Sequence, residues 1–169
     1  MQIIKIQYAR DNPNTVTIND DGKWYPVTHN IVQEWVSSGN TISEYQETIE
    51  ELKKRKALEV KELRRVEQYS PFIYTNANGT YTLPNTEKAK TRYIGKHQAW
   101  NGAATKKWFD VKGVGVDFTK GDFKEILKII EANEDIIYEK AFTISLELNA
   151  ITNLIELQAY NVQEKWDQL

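Results

Sequence analysis

Polar and apolar side chains alternate over residues 2–8, placing Ile4, Ile6 and Tyr8 on one face and Ile3 on the other, the two-residue period of a β-strand. Asp11-Asn12-Pro13-Asn14 supplies a turn, and Thr15-Val16-Thr17-Ile18 reads as a second strand. Asn19-Asp20-Asp21-Gly22 then turns the chain into a third apolar run, Lys23 to Val27, so the pattern predicts a small β-meander. Thr28 or Asn30 is placed to cap a short helix from Ile31 to Val36, and Gly39-Asn40 to end it with a backbone able to take positive φ. Residues 1–42 are expected to form a small β-rich head with one short helix.

The period changes at Ser43. From there to about Glu67 the chain has no Gly or Pro, and Ser43 and Gln46 have the spacing of a capping box. Tyr45, Ile49, Leu52, Val60, Leu63 and Val66 trace an interrupted apolar stripe. Lys53-Lys54-Arg55-Lys56 follows Glu47, Glu50 and Glu51, an order that favours intrahelical ion pairs, and reads as a solvated face. Residues 43–69 are thus expected to be a charged amphipathic helix, stopped by Ser70-Pro71.

Residues 70–169 read as a domain of short hairpins packed on a long helix, which makes the whole chain α+β. Phe72 to Thr75 and Thr80 to Leu83 flank the turn Asn76-Ala77-Asn78-Gly79. Asn85 or Thr86 can cap a helix that runs towards Gln98 and is interrupted by Gly95. After Asn101-Gly102, Lys107 to Val111 is expected to pair with Val114 to Phe118 across Lys112-Gly113. Thr119 and Asp122 then mark the start of a helix over about residues 120–151. Counting alternately four and three from Phe123 reaches Leu127, Ile130, Glu134, Ile137, Ala141, Ile144, Leu148 and Ile151, with Glu134 the one charged member. A second row, Ile126, Ile129, Ile136, Phe142 and Leu146, makes the apolar surface wider than a two-stranded seam, so several neighbours are expected to enclose it. Asn149 to Asn153 reads as a break, with Thr152 able to recap a helix carrying Leu154, Ile155 and Leu157. Tyr160, Val162 and Trp166 are expected to tie down the end.

Composition narrows the class without changing this outline. An apolar fraction of 40% and a charged fraction of 27% are those of a folded globular chain. With no cysteine, disulfides, thiolate nucleophiles and thiolate-ligated metals are excluded. A net charge of −2 from 22 basic and 24 acidic residues gives no field towards nucleic acid or an anionic membrane, so the expected partners are proteins. No segment reaches the roughly 18 apolar residues that span a bilayer, and residues 1–8 lack the apolar core of an export signal, so membrane insertion is not expected.

Candidate chemistry is sparse. His29 and His97 are about seventy positions apart, without an HExxH pair, and no GxSxG, P-loop or GxGxxG pattern is present. Neither catalytic, cofactor nor metal residues are expected. Asp110, Asp117 and Asp122 could in principle serve glycan hydrolysis, which needs only two carboxylates, but turns and a helix cap explain them better. Trp100, between polar neighbours, is the aromatic best placed for a glycan contact, whereas Trp24, Trp35, Trp108 and Trp166 sit beside apolar residues and read as core. The sequon Asn78-Gly79-Thr80 reads as a hairpin turn, and Lys53–Lys56 and Lys106-Lys107 lack the interleaved aromatics of a single-strand nucleic-acid platform.

Two stretches resemble proteins encoded in the tail-fibre region of tailed bacteriophages. The first is Asp21-Gly22-Lys23-Trp24-Tyr25 leading to Gln33-Glu34-Trp35-Val36 and Gly39-Asn40-Thr41. The second, from about Phe72 to Trp166, is similar to a domain at the C-termini of those proteins. It carries Trp108 before a strand, Val116-Asp117-Phe118-Thr119 leading to Asp122-Phe123, the long helix, and the closing Ile151 to Leu157, Tyr160, Val162 and Trp166. The match is weakest from Gly95 to Thr105. The resemblance implies a tail-fibre or tail-tip structural protein, made in the host cytoplasm and located in the virion, with other tail proteins as partners. An assembly chaperone absent from the mature virion is the alternative, and a glycan-binding or glycan-degrading tail protein a third. On this reading the packing surface is Phe123, Leu127, Ile130, Ile137, Ile144, Leu148 and Ile151, offered to the chain's own helix at 43–67 or to sister chains, with a trimer favoured.

Overall fold

The computed structural model describes residues 3, 5–10, 12–19 and 22–169, so Ile4 of the first predicted strand, Asp11 of the first turn and Asp20 and Asp21 of the second lie outside the described residues. The fold is α+β, and the chain divides into two compact units, Met1–Thr48 and Ile49–Leu169.

In the smaller unit the meander forms as an antiparallel sheet in the order β1 (Ile6–Ala9), β2 (Asn12–Ile18), β3 (Tyr25–Pro26). Ile6 pairs with Ile18 and Tyr8 with Val16. Ile6, Val16 and Ile18 then close a small core with Val32 of helix α1 (Asn30–Ser37). The second strand begins earlier than expected: Asn12, Pro13 and Asn14 open β2 instead of preceding it, at a shift in register where proline's missing N–H breaks no regular ladder. The cap of α1 is His29, whose Nδ1 accepts from the Ile31 N–H at 3.4 Å, in place of Thr28 or Asn30. Gly39, at φ +85°, ends the helix as predicted.

Ser43 does not start a helix. Its N–H donates to the Ile6 carbonyl and its carbonyl accepts from the Tyr8 N–H, both at 2.9 Å, adding a parallel bridge along β1. Arg10 fixes the following residues to the head through Glu47 at 2.6 Å. An unpaired strand edge costs its buried N–H and C=O groups their partners, and that demand outweighs a capping box worth about 1 kcal/mol. Helix α2 therefore begins at Ile49 and ends at Tyr69.

The larger unit continues with the hairpin β4 (Phe72–Asn76) and β5 (Gly79–Leu83), helix α3 (Glu87–Gln98), and the hairpin β6 (Lys106–Phe109) and β7 (Gly115–Phe118). The long helix α4 (Lys120–Ala150) and the short helices α5 (Leu154–Ala159) and α6 (Val162–Gln168) complete it. Thr86 caps α3, and Gly95 lies inside that helix without interrupting it, since a lone exposed glycine costs only about 1 kcal/mol there. Thr119 and Asp122 form the expected capping box of α4. The break falls where predicted, although Asn153 rather than Thr152 recaps the chain, its Oδ1 accepting from the Ile155 N–H at 2.8 Å.

The heptad row of α4 builds two cores in succession. Phe123, Ile126 and Ile130 join Phe72, Tyr74, Leu83, Tyr93, Trp108 and Phe118, with Phe123 at the centre of an aromatic cluster whose ring centroids lie 5.8 Å (Phe118) and 6.0 Å (Trp108) away. Ile137, Ala141, Ile144, Leu148 and Ile151 join Leu52 and Val60 of α2, Leu157 of α5, and Val162 and Trp166 of α6. Glu134, the charged interruption, sits between these groups and pairs with the buried Lys90. The second row divides: Ile126 is buried, but Ile136, Phe142 and Leu146 are exposed.

The basic run of α2 is not a purely solvated face. Lys56 is buried and donates to the Tyr160 carbonyl at 2.5 Å, and Lys53 donates to the Asn149 carbonyl at 2.8 Å. Both acceptors are carbonyls at helix ends, which lack intrahelical partners and carry the negative end of the helix dipole. Replacing Ile144 by Ala should lower stability by about 2–5 kcal/mol, whereas Ile155→Ala, at an exposed position on α5, should change it by less than about 0.5 kcal/mol, as measured by urea denaturation of the full chain.

Candidate functional site

Every member of the predicted packing row is accounted for inside the chain. Phe123 and Ile130 are buried and Leu127 partly buried in the aromatic core, while Ile137, Ile144, Leu148 and Ile151 are buried in the helical one. A sister chain could reach this row only by unpacking those cores. Besides Ile136, α4 leaves exposed the line Tyr138, Phe142 and Leu146, four residues apart and therefore on one face, with Phe142 at 63% exposure. Arg64 of α2 lies 5.1 Å from the Tyr138 ring centroid and borders this line with charge.

Trp100 is half-buried. Its ring packs 6.2 Å from Phe123, and Lys106 Nζ lies 5.0 Å from its centroid, so it serves as the rim of the aromatic core. The three aspartates do not converge on one reaction centre. Asp110 accepts from the N–H groups of Lys112 and Val114, each at 2.8 Å, closing the turn that Gly113 makes possible at φ +79°. Asp117 pairs with Lys107 across the hairpin at 3.3 Å. Asp122 is the most heavily bonded: it accepts from the Thr119 N–H at 2.7 Å, the Thr119 hydroxyl at 2.6 Å, the Tyr74 hydroxyl at 2.5 Å and the Asn76 amide at 3.0 Å. Partial burial pushes its carboxyl pKa up, but these donors together outweigh that effect and hold it at about 2. Burial, reinforced by the same carboxylate, drives the Tyr74 hydroxyl well above its usual range. The pair locks the β4–β5 hairpin to the start of α4.

The composition-based view of an unbiased surface misses a local basic groove of about 950 Å³ between α3 and β6. Lys88, Arg92 and Lys96 line it from α3, and Lys106, Lys107 and the exposed Phe109 from β6, with Asp110 the one acidic residue in the lining. Lys96 donates to the Lys107 carbonyl at 3.1 Å and Lys106 to the Ala99 carbonyl at 2.8 Å. Lys88 and Arg92 have no ion-pair or hydrogen-bond partner among the described residues. The sequence does carry a signal for it: residues 88, 92 and 96 recur every four positions on one helix face.

Among the described residues there is no group of three or more His, Asp or Glu able to hold a metal ion, and no helix long and apolar enough to cross a membrane. No family model matches the chain, and neither a curated protein nor a solved structure matches it.

The Asp122 network makes a pH prediction. Because the folded pKa is depressed from 3.8 to about 2, its contribution is fully present above pH 3.8 and is lost as pH falls through about 2. Asp122→Asn should flatten that limb of an acid-denaturation curve. An unchanged acid limb would show that the carboxylate contributes nothing to stability.

Proposed function

We propose that the chain is a structural component of a bacteriophage tail, a tail-fibre or tail-tip protein that acts by binding other tail proteins and not by catalysis. The resemblance of residues 21–41 and 72–166 to tail-fibre-region proteins supplies the setting. The observation that carries the mode of action is the exposed row Tyr138, Phe142 and Leu146, on a helix whose heptad row is already satisfied within the chain. Scattered surface hydrophobics need no explanation, but an aligned row on a rigid helix is an unfilled packing surface. Self-association, with a trimer favoured, uses this outer row in place of the heptad row. The roles found for Asp110, Asp117 and Asp122 in a turn, an ion pair and a cap support a non-catalytic reading.

In purified virions, mass spectrometry is expected to find the chain at a fixed copy number. Light scattering is expected to give a species about three times the 19.7 kDa chain mass, which the double variant Phe142→Asp/Leu146→Asp returns to monomer without loss of helicity. Absence from mature particles with presence on assembling fibres would move the chain to the chaperone reading. A double variant that associates and assembles normally would remove the outer row from the account.

A further inference from the structure

We propose that the groove between α3 and β6 docks an extended acidic segment of another protein, which adds as a strand to the open edge of β6. The hairpin register exposes that edge. Asp110 N–H donates to the Val114 carbonyl at 3.0 Å, and hydrogen-bonded pairs recur every second residue, so they fall at Trp108–Val116 and Lys106–Phe118. The N–H and C=O groups of Lys107 and Phe109 therefore face away from β7. No backbone group among the described residues pairs with them from the other side; the edge ends at Val111, whose outward N–H donates to the Thr82 carbonyl of β5 at 3.0 Å. Lys96 Nζ occupies the Lys107 carbonyl, a contact that a strand N–H can replace while the freed ammonium turns to a carboxylate.

Helix α3 packs over the face of β6 to which Trp108 points, with the Tyr93 and Trp108 ring centroids 4.2 Å apart, and on that face the groove matches an acidic strand in charge and pitch. Lys88, Arg92 and Lys96 stand four residues apart, a rise of about 6 Å along a helix. Alternate residues of a strand, which point to the same side, advance by about 6.6–6.8 Å. Acids at alternate positions of a bound strand thus meet successive cations, and Lys88 and Arg92 are not engaged elsewhere among the described residues. Main-chain bonding to a strand edge and side-chain selection by charge together define a protein segment as the ligand. A nucleic acid would use the cations but has no use for the spaced N–H and C=O groups of the edge.

The experiment uses the full chain and a fluorescein-labelled peptide of alternating glutamate and valine. Saturable binding is expected, with the amides of Lys107 and Phe109 gaining protection from hydrogen exchange in the complex. Lys88→Glu/Arg92→Glu should weaken binding by about tenfold or more, because the acids then face like charge. Phe109→Pro removes an outward N–H without touching the β6–β7 ladder and should weaken binding similarly, by about tenfold, whereas Ile155→Ala, at an exposed position on α5 outside the groove, should leave it unchanged. If Phe109→Pro fails to fold, amide protection in the parent chain decides. No saturable binding, binding without protection of those amides, or displacement of the peptide by a more tightly bound oligothymidylate would each overturn the proposal. None of these outcomes depends on the chain belonging to a phage tail.

Discussion

Burial of one face of α4 closes both cores of the larger unit at once: the aromatic cluster has no centre without Phe123, and the helical core has no spine without Ile137, Ile144 and Leu148. Apolar burial contributes about 25 cal/mol per Å², so a helix of 31 residues offering a full heptad row is the largest contiguous contribution the chain can make. The hairpins, α2 and α3 each cover only part of that row. None carries an apolar face of comparable length.

The short helices show how closely the rest follows from this spine. At six and seven residues, α5 and α6 are too short to hold in water by themselves, and they persist because Leu157, Val162 and Trp166 reach back to α4 and α2. Lysines complete the attachment. Lys53, Lys56 and Lys140 each place an ammonium on a carbonyl near a helix end, at Asn149, Tyr160 and Trp166. A long aliphatic stem lets the charge reach those acceptors while its methylenes lie along apolar surface, which is how Lys56 can be buried beside Leu52 and Val60. The indole N–H of Trp166 adds a further tie, donating to Glu67 at 2.5 Å.

The two surfaces left over are chemically unlike. One is the apolar row in the C-terminal half of α4, and the other is the cationic groove set by α3 and β6 against its N-terminal half. Both arise from side chains that intrachain packing did not consume. The first offers apolar area to a packing neighbour, and the second offers charge.

Element type, order and the position of the α4 break were legible in the sequence, because hydrophobic period and cap chemistry are local properties. So was the pairing of each hairpin, from turn residues such as Asn78-Gly79 and Lys112-Gly113. Competition for partners was not local. Ser43 left its predicted helix for the edge of β1, and the Lys53–Lys56 run turned partly inward to distant carbonyls. The sequence by itself determined that α4 would carry a row needing several neighbours. Only the tertiary structure decided that those neighbours lie within the same chain, because which apolar face is consumed depends on segments up to a hundred residues away that meet only when the chain folds.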